Sequence, residues 1–438
     1  MLKTIRLKNF KLHEDTSIEA APITVFIGPN NSGKSSIFQA LLAHKQAALR
    51  RDQSQTGLTQ ISLRNEPGAN EPFLFKEESL VQTGEFSEIV RKGEKSIHLA
   101  VTGSLNTIMP SKFQGPISVN FEVQVRDNHV IHHHGAVLWQ DAKVEWNWKK
   151  GDPTKQNVVQ INGGTIYVVP TDRFDLIQGS AQPPQGLSLD ESEDFRKFGD
   201  FLCHAPAYLL KTVHPISAIR GFEELEYPLP DYPPSEIARL TLVDRATALA
   251  SKLAYDRNLE EVVSERLQEL LKIRIQARLV PRKSARIWAE PSEPQGAHTM
   301  FVNEGTGANQ LPFILVPIAL TPENETILLS EPEAHLHPKG QCELMRMLLT
   351  VAKKEDIQFF IETHSEHVLH VILNAIGKGE WEPSQVAIYS FENVNGTAKV
   401  SRLEVDEQGG VKGGLPGFFD QSLDELTEYL DTLKKLTA

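Results

Sequence analysis

The chain has 438 residues, of which 40% are hydrophobic, and a formal net charge of −12 at pH 7. This length exceeds what one hydrophobic core usually supports, so we expect one large domain with an elaborate insertion, or two domains. The negative charge argues against a globally basic nucleic-acid-binding protein, but it leaves open a local basic groove where two copies meet.

The cysteine content and the apolar runs indicate the cellular compartment of the protein. Cys203 and Cys342 are the only cysteines, which excludes a disulfide framework and favours a reducing cytoplasm. No secretory signal is visible at the N-terminus. The apolar run from Leu311 to Leu320 is shorter than the roughly 18 residues that cross a bilayer. We therefore expect a soluble cytoplasmic protein without a membrane partner.

The N-terminal region predicts two strands, Leu2 to Leu7 and Ile23 to Ile27. The stretch between them, Asn9 to Glu19, is rich in turn-forming residues. These runs predict an N-terminal hairpin that leads into the following loop.

That loop, Gly28 to Ser35, reads Gly-Pro-Asn-Asn-Ser-Gly-Lys-Ser and matches the phosphate-binding loop pattern. It follows a predicted strand and precedes a helical pattern from Ser36 to Arg50, which is the context that the motif requires. Backbone N–H groups and the helix N-terminus would bind phosphate oxygens. Lys34 would reach the terminal phosphates, and the Ser35 hydroxyl would bind magnesium. The predicted nucleotide-binding residues of the loop are Asn30, Asn31, Ser32, Gly33, Lys34, Ser35 and Ser36.

The middle of the chain changes from strand patterns to helix patterns. A polar connector extends from Asp52 to about Asn70, and the pattern becomes helical from about Ser188. No long heptad repeat is present, so we expect a compact insertion instead of coiled-coil arms. Strand-like alternation predicts a β-rich section with hairpin turns over Ile97–Val101, Ile117–Val125, Ala136–Trp148 and Asn157–Val169, and the best helices are Arg239–Ala254 and Leu259–Ile275.

The C-terminal third carries three further motifs. A predicted buried strand, Glu325 to Leu329, leads into Ser330 to Pro338, which reads Ser-Glu-Pro-Glu-Ala-His-Leu-His-Pro. Such a strand can place a carboxylate beside magnesium and the attacking water. The next buried run, Ile357 to Ile361, leads to Glu-Thr-His-Ser, which would direct an imidazole at the same crevice. Upstream, the glycine-rich segment Asn303 to Gln310 is typical of a second phosphate-binding helix start.

The order of these motifs resembles the ABC-type ATPases of the RecF, SMC and OLD group. The blocks that carry the resemblance are Gly-Pro-Asn-Asn-Ser-Gly-Lys-Ser, Gly-Thr-Gly-Ala-Asn-Gln, Glu-Pro-Glu-Ala-His-Leu-His-Pro and Glu-Thr-His-Ser-Glu-His. The tail from Gly414 to Asp420 makes the sequence most similar to stand-alone bacterial OLD-like AAA-family ATPases that lack a nuclease domain. The resemblance covers residues 1–60 and 300–425. It implies an α/β head, a mixed sheet with flanking helices, that carries a globular β-rich and helical insertion and no long coiled coil.

The resemblance also implies how two copies would share ATP. The family's head works as a sandwich dimer, or a higher homo-oligomer, with two ATP molecules at the interface. Lys34 and Ser35 would bind ATP within one copy. Gly305, Gly307 and Gln310 would contact the γ-phosphate that the other copy holds.

Catalytic roles follow from the same comparison. Glu331 aligns with the base that polarises the attacking water, and His364 aligns with the switch histidine that senses the γ-phosphate. Gln82 resembles the Q-loop glutamine that joins Mg²⁺ to the insertion. The predicted cofactors are therefore ATP and Mg²⁺.

One position departs from the family pattern. Two acidic residues usually precede the proline, the first holding magnesium through water and the second acting as base, but here the first is Ser330. Its neutral hydroxyl predicts weak magnesium binding and slow or partner-dependent hydrolysis. In an alternative register, Glu331 holds magnesium and Glu333 is the base. The position of the proline favours the first register.

Other residues have simpler interpretations. His132 to His134 predict a solvated hairpin tip, since three adjacent side chains on a strand cannot all point one way. Trp139, Trp146 and Trp148 predict a half-buried hairpin, although they resemble aromatic residues that stack on nucleic-acid bases. Arg220 could approach phosphate, but we expect an ordinary surface arginine.

The motifs divide the chain into an N-terminal part of the head (1–105), an insertion (106–295) and a C-terminal part of the head (296–438). The predicted function is an ATP-hydrolysing switch in DNA surveillance, DNA repair or antiviral defence that acts through a separate effector such as a nuclease, with DNA as a candidate ligand. The alternative is a scaffold that binds ATP with little or no hydrolysis. The motor subunit of a membrane transporter is disfavoured because the Leu-Ser-Gly-Gly-Gln signature is missing.

Overall fold

The computed structural model describes residues 1–49, 86–106, 113, 115–127, 129–152, 156–170, 177–229, 242–281, 283–293 and 296–414. Gln82 and the tail from Leu415 to Asp420 lie outside these residues. The strands are β1 (Leu2–Phe10), β2 (His13–Glu19), β3 (Ile23–Ile27), β4 (Ile97–Asn106), β5 (Pro116–Arg126), β6 (His129–Trp139), β7 (Ala142–Lys149), β8 (Asn157–Ile161), β9 (Gly164–Pro170), β10 (Ile177–Gln182), β11 (Val213–Ile216), β12 (Tyr227–Pro228), β13 (Ile273–Val280), β14 (Ser284–Pro291), β15 (Thr299–Met300), β16 (Thr326–Ser330), β17 (Gln358–Glu362), β18 (Val386–Val394) and β19 (Thr397–Leu403). The helices are α1 (Lys34–Leu49), α2 (Phe86–Ile89), α3 (Leu189–Lys211), α4 (Leu242–Tyr255), α5 (Arg257–Leu271), α6 (Thr306–Gln310), α7 (Pro312–Leu320), α8 (Pro338–Lys354) and α9 (Glu366–Gly377), with 3₁₀ turns at Phe301–Asn303 and Pro383–Gln385.

A six-stranded sheet in the order β11-β16-β17-β3-β18-β19 forms the centre of the fold. Its neighbouring strands are parallel except β19, which is antiparallel to β18. Strand β3 is buried along its whole length, with Phe26 in one hydrophobic core and Val25 in a second core on the opposite face. Burial of both faces explains why the central strands are continuous apolar runs without a polar alternation.

An antiparallel sheet in the order β2-β1-β4-β5-β6-β7 packs with α1 and α3 on one side of the central sheet. Its strands alternate between buried and exposed residues, as β5 does along its length. Because Asn106 pairs with Pro116, this sheet continues across the position where the head and the insertion were divided. Strand β11, which falls within 106–295, lies in the central sheet beside β16. The other face is covered by α7, α8 and α9.

These features confirm the predicted α/β fold, a mixed sheet with flanking helices, and the described residues contain no long coiled coil. The predicted phosphate-loop helix is also confirmed, although it begins two residues earlier than expected, at Lys34. Within the described part of the chain, no helix is both long and apolar enough to cross a membrane.

The predicted hairpin between the first strand and Ile23–Ile27 is wrong. The stretch assigned to a turn contains β2, which pairs with β1, whereas β3 lies in the central sheet. Two of the three buried residues of β2, His13 and Thr16, are polar, and their side chains are hydrogen-bonded to each other at 2.8 Å. Because polar residues occupy buried positions, the apolar alternation that marks a strand is missing from the sequence.

The prediction of a hairpin tip at His132–His134 is also wrong, because these residues lie within β6 and the turn follows at Gln140. The expectation that their side chains alternate is confirmed. His133 is fully buried, accepts a hydrogen bond from the Trp146 indole N–H at 3.0 Å and stacks on Trp148. The predicted burial of the tryptophans is confirmed, with Trp146 only 3% exposed.

The predicted helix Leu259–Ile275 ends early. Helix α5 stops at Leu271, and Lys272 adopts a left-handed conformation with φ 61° before β13 begins. Ile273 and Ile275 continue the apolar spacing of the helix into the strand, so periodicity alone did not mark the boundary.

Candidate nucleotide site

The predicted motifs meet at one edge of the central sheet. Strands β16, β17 and β3 are parallel neighbours, so their carboxyl ends lie side by side. Ser330 is the register partner of Glu362, and Glu362 is the partner of Phe26, just before the phosphate loop. Ligands of open α/β sheets bind at this edge.

The backbone of the phosphate loop is held in conformations that its residue types permit. Gly28 has φ 140°, and a Cβ there would collide with the carbonyl of Phe391 in β18. Gly33 has φ 101°, and a Cβ there would lie 3.0 Å from the His13 ring. Asn31 has φ 60°, and its carbonyl accepts a hydrogen bond from the Asn393 amide at 3.0 Å. Asparagine tolerates this left-handed region better than most residues.

Inside the loop, Lys34 is 3% exposed, and its ammonium donates to the carbonyls of Gly28 and Pro29, each at 2.9 Å. Burial lowers the pKa of Lys34, while the charges of Glu362 and Glu331 raise it. Ser32 is fully buried, and its hydroxyl has no hydrogen-bond partner among the described residues. A cation and an unpartnered hydroxyl inside a loop of this kind fit bound phosphate.

The first residue of this site that the sequence argument missed is Glu362. It closes the buried strand β17 and is only 3% exposed. The Ser35 hydroxyl donates to its Oε1 at 2.5 Å. Burial raises the pKa of Glu362, whereas the Ser35 hydrogen bond and the Lys34 charge lower it. The signal in the sequence was a charged residue at the end of an apolar strand, but nothing there indicated its partner.

Glu331 and His364 follow β16 and β17 and face each other, with Glu331 Oε1 3.9 Å from His364 Nε2. Both side chains are partly open to solvent, at 41% and 34% exposure. Burial and the charge of Lys34 lower the pKa of His364, and the Glu331 carboxylate partly opposes them. The arrangement therefore offers an accessible carboxylate beside an imidazole that favours its neutral form.

Glu333 has a different environment. It is 7% exposed, and its Oε1 accepts hydrogen bonds from the Thr363 hydroxyl at 2.7 Å and the His364 N–H at 2.9 Å. Its Oε2 is buried without a hydrogen-bond partner among the described residues, and burial raises its pKa. Glu333 thus holds the turn that carries His364. Its burial favours the register in which Glu331, and not Glu333, meets the attacking water.

The interpretation of Arg220 as an ordinary surface arginine is wrong. Its guanidinium donates to three main-chain carbonyls, those of Ser217 at 2.5 Å, Ser330 at 2.9 Å and Glu331 at 2.7 Å. Burial lowers its pKa to about 10, against the charges of Glu333 and Glu331. The contact forms because β11 pairs with β16, which the sequence did not indicate.

The glycine-rich segment forms the short helix α6, with the exposed Gly305 at its N-cap. A Cβ on Gly307 would collide with the carbonyl of His335, so the segment packs closely on the turn after β16. Gln310 is 2% exposed and donates to the carbonyl of Ala334. The buried Gln310 amide already binds a carbonyl within the protein. We therefore assign the Gln310 side chain a positioning role in place of the predicted nucleotide contact.

The donor groups at this edge fit ATP and Mg²⁺. In phosphate-loop enzymes Mg²⁺ is held by one or two carboxylates together with substrate phosphates and water. Ser35, Glu362 and Glu331 supply a hydroxyl and two carboxylates near Lys34. Over the described ranges, no group of three or more His, Cys, Asp or Glu side chains could hold a metal ion.

Similar solved structures include the SMC head domain from Thermotoga maritima, at 14% identity and a TM-score of 0.40. The match covers 92% of the present chain and 99% of the SMC head domain. An Smc head domain with an extended coiled coil, bound to the C-terminal domain of ScpA and derived from Pyrococcus furiosus, has 13% identity and a TM-score of 0.43, with 99% of both chains covered. No curated protein matches the chain.

Two family descriptions match the sequence. Residues 382–428 match a family described as a protein of unknown function, DUF3696. Residues 1–141 and 245–369 match the AAA ATPase domain family. The second match spans more than half of the chain and includes the phosphate loop, Glu331 and His364. The chain belongs to the AAA ATPase domain family.

Proposed function

We propose that this protein is an ABC-type ATPase that hydrolyses ATP and uses the ATP-bound state as a switch. The observation that carries the proposal is the convergence of Lys34, the Ser35–Glu362 pair and the Glu331–His364 pair at one edge of the central sheet. Phosphoryl transfer needs mainly positioning and charge stabilisation, and these groups supply both.

The phosphate loop would bind the nucleotide through residues 30–36. Lys34 would exchange its two carbonyl contacts for the terminal phosphates, and the Ser32 hydroxyl would gain an acceptor. Bound Mg²⁺ would neutralise phosphate charge, with Ser35 as a ligand and Ser330 and Gln82 as further candidates.

Glu331 would act as the general base. Its carboxylate accepts a proton from a water molecule while that water attacks the γ-phosphorus, and the bond to the bridging oxygen of ADP breaks. His364, held by its backbone bond to Glu333, would contact the γ-phosphate as a neutral hydrogen-bond donor. Loss of that phosphate would change the contacts of His364 and report the state of the nucleotide.

We further propose that two copies, or a higher homo-oligomer, close over ATP in the cytoplasm. Gly305 and Gly307 of one copy would contact the γ-phosphate bound by the other, with Gln310 supporting that segment from inside. The exposed N-terminus of α6 supports this role. By the motif resemblance, closure would signal to a separate effector such as a nuclease in DNA surveillance, DNA repair or antiviral defence.

The test compares wild type, Lys34→Ala and Glu331→Gln for ATP hydrolysis and for molecular mass, with and without ATP and Mg²⁺, alone and with duplex DNA. We expect wild type to hydrolyse ATP, Lys34→Ala to lose nucleotide binding, and Glu331→Gln to keep binding and accumulate as an ATP-dependent dimer. Hydrolysis that persists in Lys34→Ala would overturn the proposal.

A scaffold with little or no hydrolysis is the second candidate, and Ser330 favours it. A neutral hydroxyl stands where the family pattern has an acid, so magnesium binding there would lack a full charge. Nucleotide binding and dimer formation without release of phosphate by wild type would support the scaffold. Magnesium-dependent release that Glu331→Gln abolishes would exclude it.

A further inference from the structure

Ser330 occupies the position where the family pattern has an acidic residue. The neighbouring strand ends in a carboxylate, that of Glu362. Ser330 and Glu362 are the last residues of β16 and β17 and are register partners in a parallel pair. Partnered residues of adjacent strands direct their side chains to the same face of the sheet. A carboxylate therefore lies one strand away from Ser330, at the same level along the strands.

Glu362 also lies nearer the phosphate loop than Ser330 does. Strand β17 lies between β16 and β3, and β3 leads directly into the loop. The Ser35 hydroxyl donates to Glu362 Oε1 at 2.5 Å. In phosphate-loop enzymes, the serine or threonine of the loop and an acid at a strand end hold Mg²⁺ together. The Ser35–Glu362 pair has this composition.

A structural role for Glu362 is the competing explanation, since Ser35 lies in the first turn of α1 and the bond ties that helix to β17. Burial weighs against it as the full explanation. A carboxylate with 3% exposure loses its hydration, and the hydrogen bond from Ser35 and the nearby charge of Lys34 offset only part of that cost. A divalent cation beside the carboxylate would offset much more.

Building on the function proposed above, we propose that Glu362 and Ser35 hold the Mg²⁺ of the nucleotide complex, with Glu362 supplying the charge that Ser330 lacks. The same charge disfavours metal-free ATP, because it faces the phosphates when no cation lies between them. Glu362 thereby makes the site selective for Mg²⁺-bound nucleotide.

The experiment measures binding of a fluorescent, slowly hydrolysed ATP analogue to the full chain, first in EDTA and then over a Mg²⁺ titration. For Glu362→Gln we expect a half-saturating Mg²⁺ concentration about 10- to 100-fold above that of wild type. In EDTA the variant should bind the analogue as tightly as wild type or more tightly. Binding of Mn²⁺ in the presence of the analogue, followed by electron paramagnetic resonance, gives an independent readout of the metal.

Two controls separate metal binding from a structural role. Glu323→Gln removes an exposed glutamate three residues before β16, away from the strand end that carries Ser330, and should leave the Mg²⁺ titration unchanged. Adding Ser330→Asp to Glu362→Gln returns a carboxylate to the same sheet edge and should recover much of the Mg²⁺ response. Equal weakening of binding in EDTA and in Mg²⁺ would indicate a structural role and overturn the inference.

The failure of this inference differs from the failure of the proposed function. If wild type and Glu362→Gln respond to Mg²⁺ in the same way, the role of Glu362 is overturned and the ATPase proposal stands. Absence of analogue binding by wild type in both conditions would overturn both.

Discussion

Glu331 occupies a backbone conformation that few residues adopt. Its φ of 44° lies in the left-handed region, which costs a non-glycine residue about 1–3 kcal/mol. Three hydrogen bonds involve its backbone: its N–H donates to the carbonyl of Glu362 at 2.8 Å, and its own carbonyl accepts from Arg220 at 2.7 Å and from the Ala334 N–H at 3.2 Å. In this conformation the Glu331 carboxylate lies 3.9 Å from His364 Nε2. Arg220 is therefore a positioning residue for the proposed base.

Replacing Arg220 by lysine tests this role. An ammonium lacks the planar fork that reaches three carbonyls, so Arg220→Lys should let Glu331 shift. We expect kcat for ATP hydrolysis to fall about 10²-fold while KM changes little, because a displacement near 1 Å is enough to disturb the attacking geometry. Arg346→Lys, at an exposed arginine of α8 that pairs with Glu343, should leave both constants unchanged. A parallel rise in KM would contradict a purely positioning role.

His44 makes stability depend on pH. Burial lowers its pKa to about 4, against the opposing effect of a bond to the Ala40 carbonyl. The unfolded chain, with a histidine pKa near 6.5, binds more protons than the folded chain between about pH 4 and pH 6.5. The stabilising contribution is therefore complete above pH 6.5 and is lost as the pH falls towards 4. The contribution of His44 to the free energy of unfolding changes by at most roughly 3 kcal/mol over this range.

Denaturant unfolding of wild type and His44→Leu between pH 4 and pH 7.5 checks this prediction. The difference in unfolding free energy between the two proteins should change in favour of His44→Leu as the pH falls, because only wild type then protonates a buried ring. Carboxylates titrate in both proteins and cancel in the difference. A difference that stays constant with pH would contradict the lowered pKa.

The phosphate loop depends on a close approach between two elements, β3 with its loop and the neighbouring strand β18. Gly28 combines φ 140° with a carbonyl of β18 in the space of a Cβ, so Gly28→Ala should both strain the backbone and push β18 away. We expect a loss of stability of about 2–4 kcal/mol, the sum of the φ cost and overpacking, together with weaker nucleotide binding.

Gly93→Ala is the matched control for this prediction. Gly93 has φ 92° and nothing within 4 Å of a built Cβ, so its substitution carries the backbone cost alone. Thermal unfolding of both variants should show a larger loss for Gly28→Ala. Equal losses would mean that the contact with β18 adds nothing.

The central sheet joins the two hydrophobic cores, since its strands contribute Phe26 and Phe360 to one and Val25 and Ile361 to the other. The proposed nucleotide site lies at the edge of this shared sheet, so a ligand there would stabilise elements of both cores. A ligand that binds only the folded state adds about 2.7 kcal/mol at a concentration of 100 times Kd.

We therefore expect ATP with Mg²⁺ to raise the thermal unfolding midpoint of the whole chain in one transition. Lys34→Ala should show the unliganded midpoint at every nucleotide concentration, because its phosphate contacts are lost. Calorimetry with increasing ATP provides the measurement. Separate transitions, of which ATP shifts only one, would contradict coupling of the two cores through the sheet.

Local patterns in the sequence were enough for the phosphate loop and the buried strands. Residues 28–35 form one contiguous segment whose glycines, lysine and serine match the phosphate-binding loop pattern, and β3, β16 and β17 are apolar because both faces of the sheet are covered. The same patterns misassigned β2, in which two of the three buried residues are polar, and extended α5 too far, because its apolar spacing continues into β13.

Tertiary structure alone decided which distant residues complete the site. Ser35 and Glu362 are 327 positions apart, and Arg220 and Glu331 are 111 apart, yet each pair is hydrogen-bonded. These contacts depend on the strand order β11-β16-β17-β3, and local hydrophobic pattern does not specify the order in which parallel strands pair. Charge and spacing along the chain therefore identified the components of a nucleotide site, and the packing of the sheet determined which carboxylate stands beside the loop.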